Sequence, residues 1–370
     1  MRKAFCVLAM LLLIALLLGS LVYNDLTQTH VPHAPQKLEL SSSPVIQNLR
    51  KADALSDNKN ASSFILLQKR SAVDFAEHVS RDRLENDLRA LTKTIGARQL
   101  GGKGNLAARR YIAGELQTLG FSESAKTLLR QGFTAFGLFT ENIVAVIPAE
   151  TQNAPIVVVG AHFDTVSNVE GAIDNASGVA SLLEVIRVIR ESGQTFNFEL
   201  RFCFFSAEEN GYLGAYRYLN LQDRASINRH AAFINADMTG HGVNSAEHVI
   251  TVCTKGSPNG SDPAEPNVVS RAAEKAHQIL SLNTYELYSP MNSGKHDIVP
   301  FVRNGIQSAT FSWREIDSTR AADNDFDLAA PVYMHTTNDS FENIDIDSVF
   351  LMTKLIVASL SVVGDHVSLR

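Results

Sequence analysis

The sequence predicts an α/β fold, a single domain in which a mixed, mostly parallel, twisted β-sheet is flanked by helices on both faces. Short apolar runs bounded by turn residues are typical of buried parallel strands, and helical patterns lie between these runs. The chain has 370 residues, of which 45% are hydrophobic and 19% are charged. That composition is sufficient for one large core.

Three continuous apolar runs predict the central strands of the sheet. They cover residues 155–160, 198–205 and 231–235. In open α/β sheets, binding sites form beyond the carboxyl ends of the strands. The polar residues that directly follow these runs are therefore the first candidates for function.

Apolar residues at helical spacing predict the helices that cover the sheet. The predicted helices span residues 177–189, 213–221 and 263–280, and a closing helix lies around 349–360. Asn175 or Ser177 is available as the N-cap of the first of these helices. Strands and helices therefore alternate along the chain, as the predicted fold requires.

Histidines and acids follow the predicted strands in an ordered set. In chain order they are His162 with Asp164, Asp174, the adjacent pair Glu208 and Glu209, Asp237, and His335. Zinc accepts this mixture of imidazole and carboxylate ligands. Two histidines and three acids would hold a pair of metal ions and leave one acid to act as a base. The set therefore predicts a two-metal hydrolytic site.

Local spacing suggests a separate role for each of these residues. Residues two apart on extended backbone face the same side, so Asp164 can hold the imidazole of His162. Asp174 lies in a Gly/Asn-rich turn, where a short carboxylate could bridge two ions. Of the adjacent acids Glu208 and Glu209, one is expected to coordinate metal and the other to face a bound water. Such a metal pair polarises a scissile carbonyl and lowers the pKa of water.

These segments resemble the secreted dizinc aminopeptidases, a metallopeptidase family that also contains glutaminyl cyclases and glutamate carboxypeptidase-like enzymes. The resemblance implies peptide substrates and two Zn²⁺ ions per chain. It implies that one zinc is held by His162 and Asp237 and the other by Glu209 and His335. Asp174 would bridge the two ions.

The resemblance also implies roles for residues around the metals. Glu208 would act as the general base, Asp164 as the partner of His162, and Asp339 as an orienting acid. Upstream, Gly96-Ala97-Arg98 and an amphipathic helix over 105–119 are similar to the N-terminal element of the family. The likeness runs from about residue 85 to about residue 365.

One segment departs from the family pattern. Relatives often carry Ser-Asp-His-x-Pro-Phe, and residues 296–301 here are His-Asp-Ile-Val-Pro-Phe. Because this segment lies near the substrate pocket in relatives, we expect His296, Asp297 and Phe301 to bind substrate. The departure leaves the preferred N-terminal residue open.

The resemblance favours aminopeptidase activity, in which a Glu base acts on zinc-activated water. A glutaminyl-peptide cyclotransferase holding one zinc remains an alternative. A carboxypeptidase or dipeptidase would need a cation for the substrate carboxylate, for which Arg303, Arg314 and Arg320 are candidates. A catalytically silent binding domain of the same fold is disfavoured because every ligand is present.

The N-terminus predicts export. Arg2 and Lys3 precede an apolar stretch, so residues 1–23 are read as a signal peptide or a membrane anchor. Residues 24–75 include a Pro/His-rich stretch at 30–35, a Ser-rich stretch at 38–44 and a polar stretch at 55–63, and are read as a linker or a propeptide-like segment. Residues 76–370 form the predicted zinc peptidase domain. It is expected to be periplasmic, secreted or anchored outside the cytoplasm.

Charge and cysteine content set further limits. Lys and Arg total 33 against 39 Asp and Glu, a net charge of −6, which argues against nucleic acid as a partner. Cys203 and Cys253 lie in apolar runs and are predicted to be free thiols rather than a disulfide. Arg187, Arg190 and Arg201 are predicted to be solvated. The oligomeric state is left open.

Overall fold

A computed structural model of the chain describes residues 72–243, 247–254, 266–282, 285–288, 296–316 and 333–367. The predicted leader at 1–23, most of the predicted linker and Arg320 lie outside these residues. The described residues include eight strands: β1 (Leu128–Ala135), β2 (Leu138–Ile147), β3 (Ile156–His162), β4 (Glu199–Phe205), β5 (His230–Ala236), β6 (Glu247–Thr254), β7 (Tyr285–Tyr288) and β8 (Gln307–Ile316).

The eight strands form one sheet in the order β1-β2-β4-β3-β5-β8-β6-β7. Strand β3 pairs in parallel with β4 and β5, β5 with β8, and β6 with β7. The pairs β1–β2, β2–β4 and β6–β8 are antiparallel. Four of these seven pairings are parallel, and the predicted mixed sheet is confirmed.

Helices cover both faces of the sheet. They are α1 (Arg81–Arg89), which continues into a π-helix at Ala90–Ile95, α2 (Lys103–Thr118), α3 (Ser177–Ser192), α4 (Leu213–Asn220), α5 (Arg224–Arg229), α6 (Val268–Leu280), α7 (Ile298–Arg303) and α8 (Ile346–Val367). Helices α1, α2, α3, α6 and α8 contribute to the core of one face. Helices α4, α5 and α7 contribute to the core of the other. The central strands β3 and β5 are therefore buried along their whole length.

One predicted helix begins later than the sequence pattern suggested. The helix predicted over 263–280 starts at Val268, because Asn267 caps it. The Asn267 side chain accepts hydrogen bonds from the backbone N–H groups of Val269 and Ser270, at 2.9 and 3.1 Å. The backbone N–H of Asn267 donates to the Ser270 hydroxyl at 2.9 Å. This reciprocal capping box fixes the start of α6.

Two arginines predicted to be solvated instead form ion pairs, Arg187 in a buried position and Arg201 in a partly buried one, so that prediction is wrong for them. Arg187 on α3 pairs with the buried Asp87 of α1 and, at 2.7 Å, with Glu115 of α2. Arg201 on β4 pairs with Glu199 at 2.6 Å. Arginine keeps its charge when buried and needs such partners. The Arg187 pairs thus join three helices on one face of the sheet.

The last helix, α8, is long and apolar enough to cross a membrane by length and composition alone. Most of that apolar span is buried inside the protein, so α8 is a core helix. Cys203 and Cys253 are free thiols, as predicted. Burial raises the pKa of the Cys203 thiol, which makes it unreactive.

Candidate metal centre

The ligand candidates gather at one edge of the sheet, beyond the carboxyl ends of its central strands. His162 is the last residue of β3, and Asp237 directly follows β5. Glu208 and Glu209 lie on the loop after β4. Asp174 lies in the turn before α3, where the Asp174–Asn175 peptide is cis. His335, on the segment before α8, completes the group.

The carboxylate of Asp174 lies between the two histidines. Its Oδ1 is 3.1 Å from Nε2 of His162, and its Oδ2 is 3.2 Å from Nε2 of His335. Nε2 of His162 is also 3.4 Å from Oδ1 of Asp237. Nε2 of His335 is 3.1 Å from Oε2 of Glu209. Ligand atoms of the described residues form three close groups of three, and Asp174 belongs to two of them; the third joins His162 to Glu208 and Glu209.

Asp164 organises the residues around the first of these groups. Its main-chain carbonyl lies 3.2 Å from Nδ1 of His162, and its carboxylate Oδ1 lies 3.7 Å from the same nitrogen. The carboxylate also accepts hydrogen bonds from the backbone N–H groups of Glu208 and Glu209, at 3.1 and 3.3 Å. Asp164 thus orients the imidazole mainly through its backbone and fixes the two glutamates through its side chain.

Two further side chains hold the turn that carries Asp174. The carboxylate of Asp339 accepts hydrogen bonds from the backbone N–H groups of Ile173 and Asp174, at 2.6 and 3.1 Å. The Asn175 amide donates to the carbonyl of Ala236 at 2.9 Å and accepts from the N–H of Met238 at 3.2 Å. Because Ala236 and Met238 flank Asp237, Asn175 ties the Asp174 turn to the loop after β5.

Arg98 is a structural centre of the site that its sequence motif did not predict. The side chain is fully buried, and its guanidinium donates to five backbone carbonyls. The acceptors are Phe163 (2.7 Å), Leu91 (3.1 Å), Gly96 (3.1 Å), Glu170 (2.6 Å) and Gly171 (2.9 Å). Burial lowers the pKa of Arg98 to about 10, and nearby carboxylates, first Asp339, oppose that shift. Arg98 stays charged and joins the loop after β3 to the Asp174 turn.

The three residues expected to bind substrate differ in their burial and in their distance from the ligand group. His296 is partly exposed at the site, and its Nδ1 is 2.7 Å from Oδ2 of Asp237. The side chain of Asp297 is fully buried beside the ligand group. Phe301 is fully buried in the core and stacks on Phe233 with ring centroids 3.9 Å apart. Phe301 has no exposed surface for a ligand, so we correct the expectation and leave it out of the proposed site.

The site concentrates negative charge in a buried volume. Burial raises the pKa values of Glu208 and Asp297 well above the ordinary range for carboxyl groups. The carboxylates of Asp174 and Glu209 accept hydrogen bonds from the His335 imidazole and raise its pKa to about 10. The pKa of Asp174 is lowered, because its bonds to the two imidazoles outweigh the effect of burial. Carboxylates packed this densely need cations close by.

The donor set fits divalent metal ions. The ligand atoms around Asp174 are 3.1–3.4 Å apart. Zinc bonds of about 2.0 Å in a tetrahedral arrangement place neighbouring ligand atoms roughly 3.3 Å apart. Oε1 of Glu209 and both carboxylate oxygens of Asp297 are buried without a hydrogen-bond partner, as expected of oxygens that need a cation or a proton. Two dications would offset much of the charge of the acids at the site, which are Asp164, Asp174, Glu208, Glu209, Asp237 and Asp297.

Two of the cationic candidates for a substrate carboxylate lie among the described residues. Arg303 is exposed on the last turn of α7 and donates to the hydroxyl of Tyr216. Arg314 lies within β8. Among the described residues, the groups of close ligand atoms at the centre come from acids and histidines, and the buried cation beside them is Arg98.

Comparison with known proteins adds a family assignment to this geometry. The profile of peptidase family M28 matches residues 142–360, more than half of the chain. The aminopeptidase YwaD of Bacillus subtilis is 29% identical over 222 residues, which cover 60% of this chain and 44% of that protein. The chain therefore spans less than half the length of this curated relative.

Solved structures share the fold. The zinc aminopeptidase BSAP from Bacillus subtilis superimposes with a TM-score of 0.65 at 18% identity, over 76% of this chain and 94% of that chain. A glutaminyl cyclase from Bacteroides thetaiotaomicron superimposes with a TM-score of 0.58 at 20% identity, over 77% of this chain and 98% of that chain. At these identities the likeness establishes the fold alone.

Replacing Arg98 by lysine should weaken zinc binding. Lysine keeps the charge but cannot reach the carbonyls on both loops. The free energy of unfolding should therefore fall by about 3 kcal/mol. Loss of this support should lower zinc affinity about 10–100-fold. Competition with a chromophoric chelator measures the affinity, and Arg110→Lys on the exposed side of α2 is the control. Wild-type affinity in Arg98→Lys would contradict this role.

Proposed function

Because the chain belongs to peptidase family M28, we propose that it is a zinc-dependent aminopeptidase that removes N-terminal residues from peptides. The proposed metal ligands are His162 and Asp237 for one zinc, and Glu209 and His335 for a second. Asp174 is proposed to bridge the two ions. We further propose Glu208 as the general base, Asp164 and Asp339 as orienting acids, and His296 and Asp297 as the substrate-side neighbours of the ligand group.

The position of Asp174 supports this proposal more than any other observation. Its two carboxylate oxygens face different imidazoles at nearly equal distances, 3.1 and 3.2 Å. A carboxylate that served one metal ion would have no need of a second histidine on its other oxygen. When bound, two zinc ions would polarise the scissile carbonyl and lower the pKa of a nearby water.

The burial of Glu208 supports its proposed role in moving the proton of that water. It is almost fully buried, and its raised pKa suits a group that accepts a proton and later releases it. Its neighbour Glu209 faces His335, so the two adjacent acids point to different tasks. In the proposed reaction, Glu208 takes a proton from the attacking water and gives it to the leaving amine.

The charge of the site favours an amino terminus over a carboxyl terminus as the recognised end of the substrate. The protonated α-amino group of a peptide is attracted to a cluster of carboxylates, whereas a free carboxylate is repelled. Arg98 is the nearest buried cation described, but its guanidinium is occupied by backbone carbonyls. This favours an aminopeptidase over a carboxypeptidase or a dipeptidase.

We propose that this domain works outside the cytoplasm. The apolar stretch within residues 1–23 would direct export, as a cleaved signal or as an anchor, and residues 24–75 would act as a tether or propeptide. A net charge of −6 is consistent with a domain that acts on peptides rather than nucleic acid.

A substrate panel separates this function from its nearest alternative, glutaminyl-peptide cyclisation. The zinc-loaded protein should release leucine from an unblocked leucyl peptide and leave its N-acetylated form intact, because the amino group is part of what the site binds. Mass spectrometry of the products reads both reactions. Loss of ammonia from a peptide with N-terminal glutamine, without release of any residue, would instead establish the cyclase.

Replacing Glu208 by glutamine should lower kcat about 10³–10⁴-fold, because the proton acceptor is lost. Zinc content should stay at the wild-type level, since Glu208 is not a proposed ligand. Steady-state hydrolysis of leucine para-nitroanilide and metal analysis measure the two effects. Glu77→Gln, at an exposed position, is the matched control. If Glu208→Gln kept its activity, the assignment of the base would be wrong.

A further inference from the structure

The hairpin of β1 and β2 presents an apolar tip to solvent. Phe136 is 77% exposed and Phe139 is 58% exposed. Leu138, on the same tip, and Leu106, on the first turn of α2, are also exposed. Among the described residues, these four make up most of the large hydrophobic residues that are exposed to solvent. Large exposed apolar residues grouped at one end of a hairpin often mark a site of interaction.

The backbone of the tip holds Phe136 in an unfavourable conformation. Ala135 pairs with Leu138, so Phe136 and Gly137 form a two-residue turn in which both φ angles are positive, +50° and +78°. Asn, Asp or Gly is preferred at the first position of such a turn, and a bulky aromatic residue is disfavoured there. Since Phe136 is mostly exposed, packing within the protein does not compensate for this strain. Strain of this kind points to a use outside the fold.

The tip flanks the metal centre. Strand β2 is antiparallel to β4, so the tip extends beyond the carboxyl end of β4, where Glu208 lies. The hydroxyl of Thr140 on β2 is 2.7 Å from the hydroxyl of Ser206, two residues before Glu208. Phe136, at the end of the tip, is four residues from Thr140, or roughly 10–14 Å at the rise of a β-strand.

We propose that this tip, defined by Leu106, Phe136, Leu138 and Phe139, binds apolar side chains of a peptide substrate beyond its scissile bond. This inference rests on the proposed function. In an exopeptidase only the end of the substrate enters the site, and the rest of the peptide leaves across the rim. At about 3.3 Å per residue, an extended peptide reaches the tip at its fourth or fifth residue.

The charges beside the tip favour a peptide over an anionic membrane. Arg130 on β1 pairs with Glu123 and Glu141, at 2.8 Å in each case. Arg109 lies over the ring of Phe139, 5.6 Å from its centroid, and is 3.6 Å from Glu141. These cations are balanced by acids, and balanced cations attract anionic lipid headgroups weakly. An apolar segment of a peptide fits such a surface.

The test compares two peptides that differ only where they would reach the tip. The zinc-loaded protein is assayed with Leu-Gly-Gly-Phe-Leu-Gly and Leu-Gly-Gly-Ser-Ser-Gly, with leucine para-nitroanilide as the short reference. Phe136→Asn should reduce the preference for the apolar peptide, the ratio of the two kcat/KM values, about five- to tenfold. The same variant should raise Tm by about 1–3 °C, because asparagine suits the turn. Leu221→Ser, an exposed leucine at the end of α4, should change neither quantity.

A rise in Tm together with a fall in the preference for the apolar peptide would support the proposal. Substitution of a residue with only a structural role would lower both quantities or change neither. An unchanged preference in Phe136→Asn would overturn it. So would a wild-type dimer, seen by sedimentation, that the substitution dissociates without changing the preference, because the tip would then serve self-association. If the wild type hydrolysed neither peptides nor the anilide, the proposed function itself would fail, and no variant would be needed to see it.

Discussion

The carboxylate of Asp174 lies between the imidazoles of His162 and His335, and the arrangement of the site depends on this contact. The turn that carries Asp174 has little regular structure of its own, so other residues must hold it. Asp339 binds its backbone N–H groups, and Arg98 binds the carbonyl of Gly171 at its start. The proposed metal centre is therefore a small group of candidate ligands held by a larger buried polar network, which costs folding free energy unless every member is paired.

The features that follow from local patterns were predictable from the sequence. Strands β3, β4 and β5 read as continuous apolar runs because both of their faces are covered. The side chains that follow the carboxyl ends of these strands were expected to lie together. The convergence of His162, Asp174 and Asp237 was therefore predictable from the sequence. Helix α3 was also predictable from the sequence, because its apolar residues recur at helical spacing until its exposed C-terminal turn.

The features that depend on tertiary contacts were not predictable. Strand β1 lies at one edge of the sheet, and its half-exposed residues leave no continuous apolar run. Strand β2 is the exception, because residues 143–147 are a continuous apolar run that the sequence does offer as a signal. Arg98 and Arg187 look like surface charges in the sequence, because a buried arginine is recognised only by the carbonyls or acids that fold around it. Phe301 matched a family motif by type, yet its ring packs in the core. Residue type alone does not say which side of a helix faces the site.

The most direct test of this account is the zinc content of the purified full-length protein after dialysis against a weak chelator. Atomic emission together with quantitative amino-acid analysis gives the number of ions per chain. The account predicts close to two, because Asp174 serves two histidine-containing groups. A value close to one that does not rise with added zinc would contradict the bridging role of Asp174 and the two-metal site built around it.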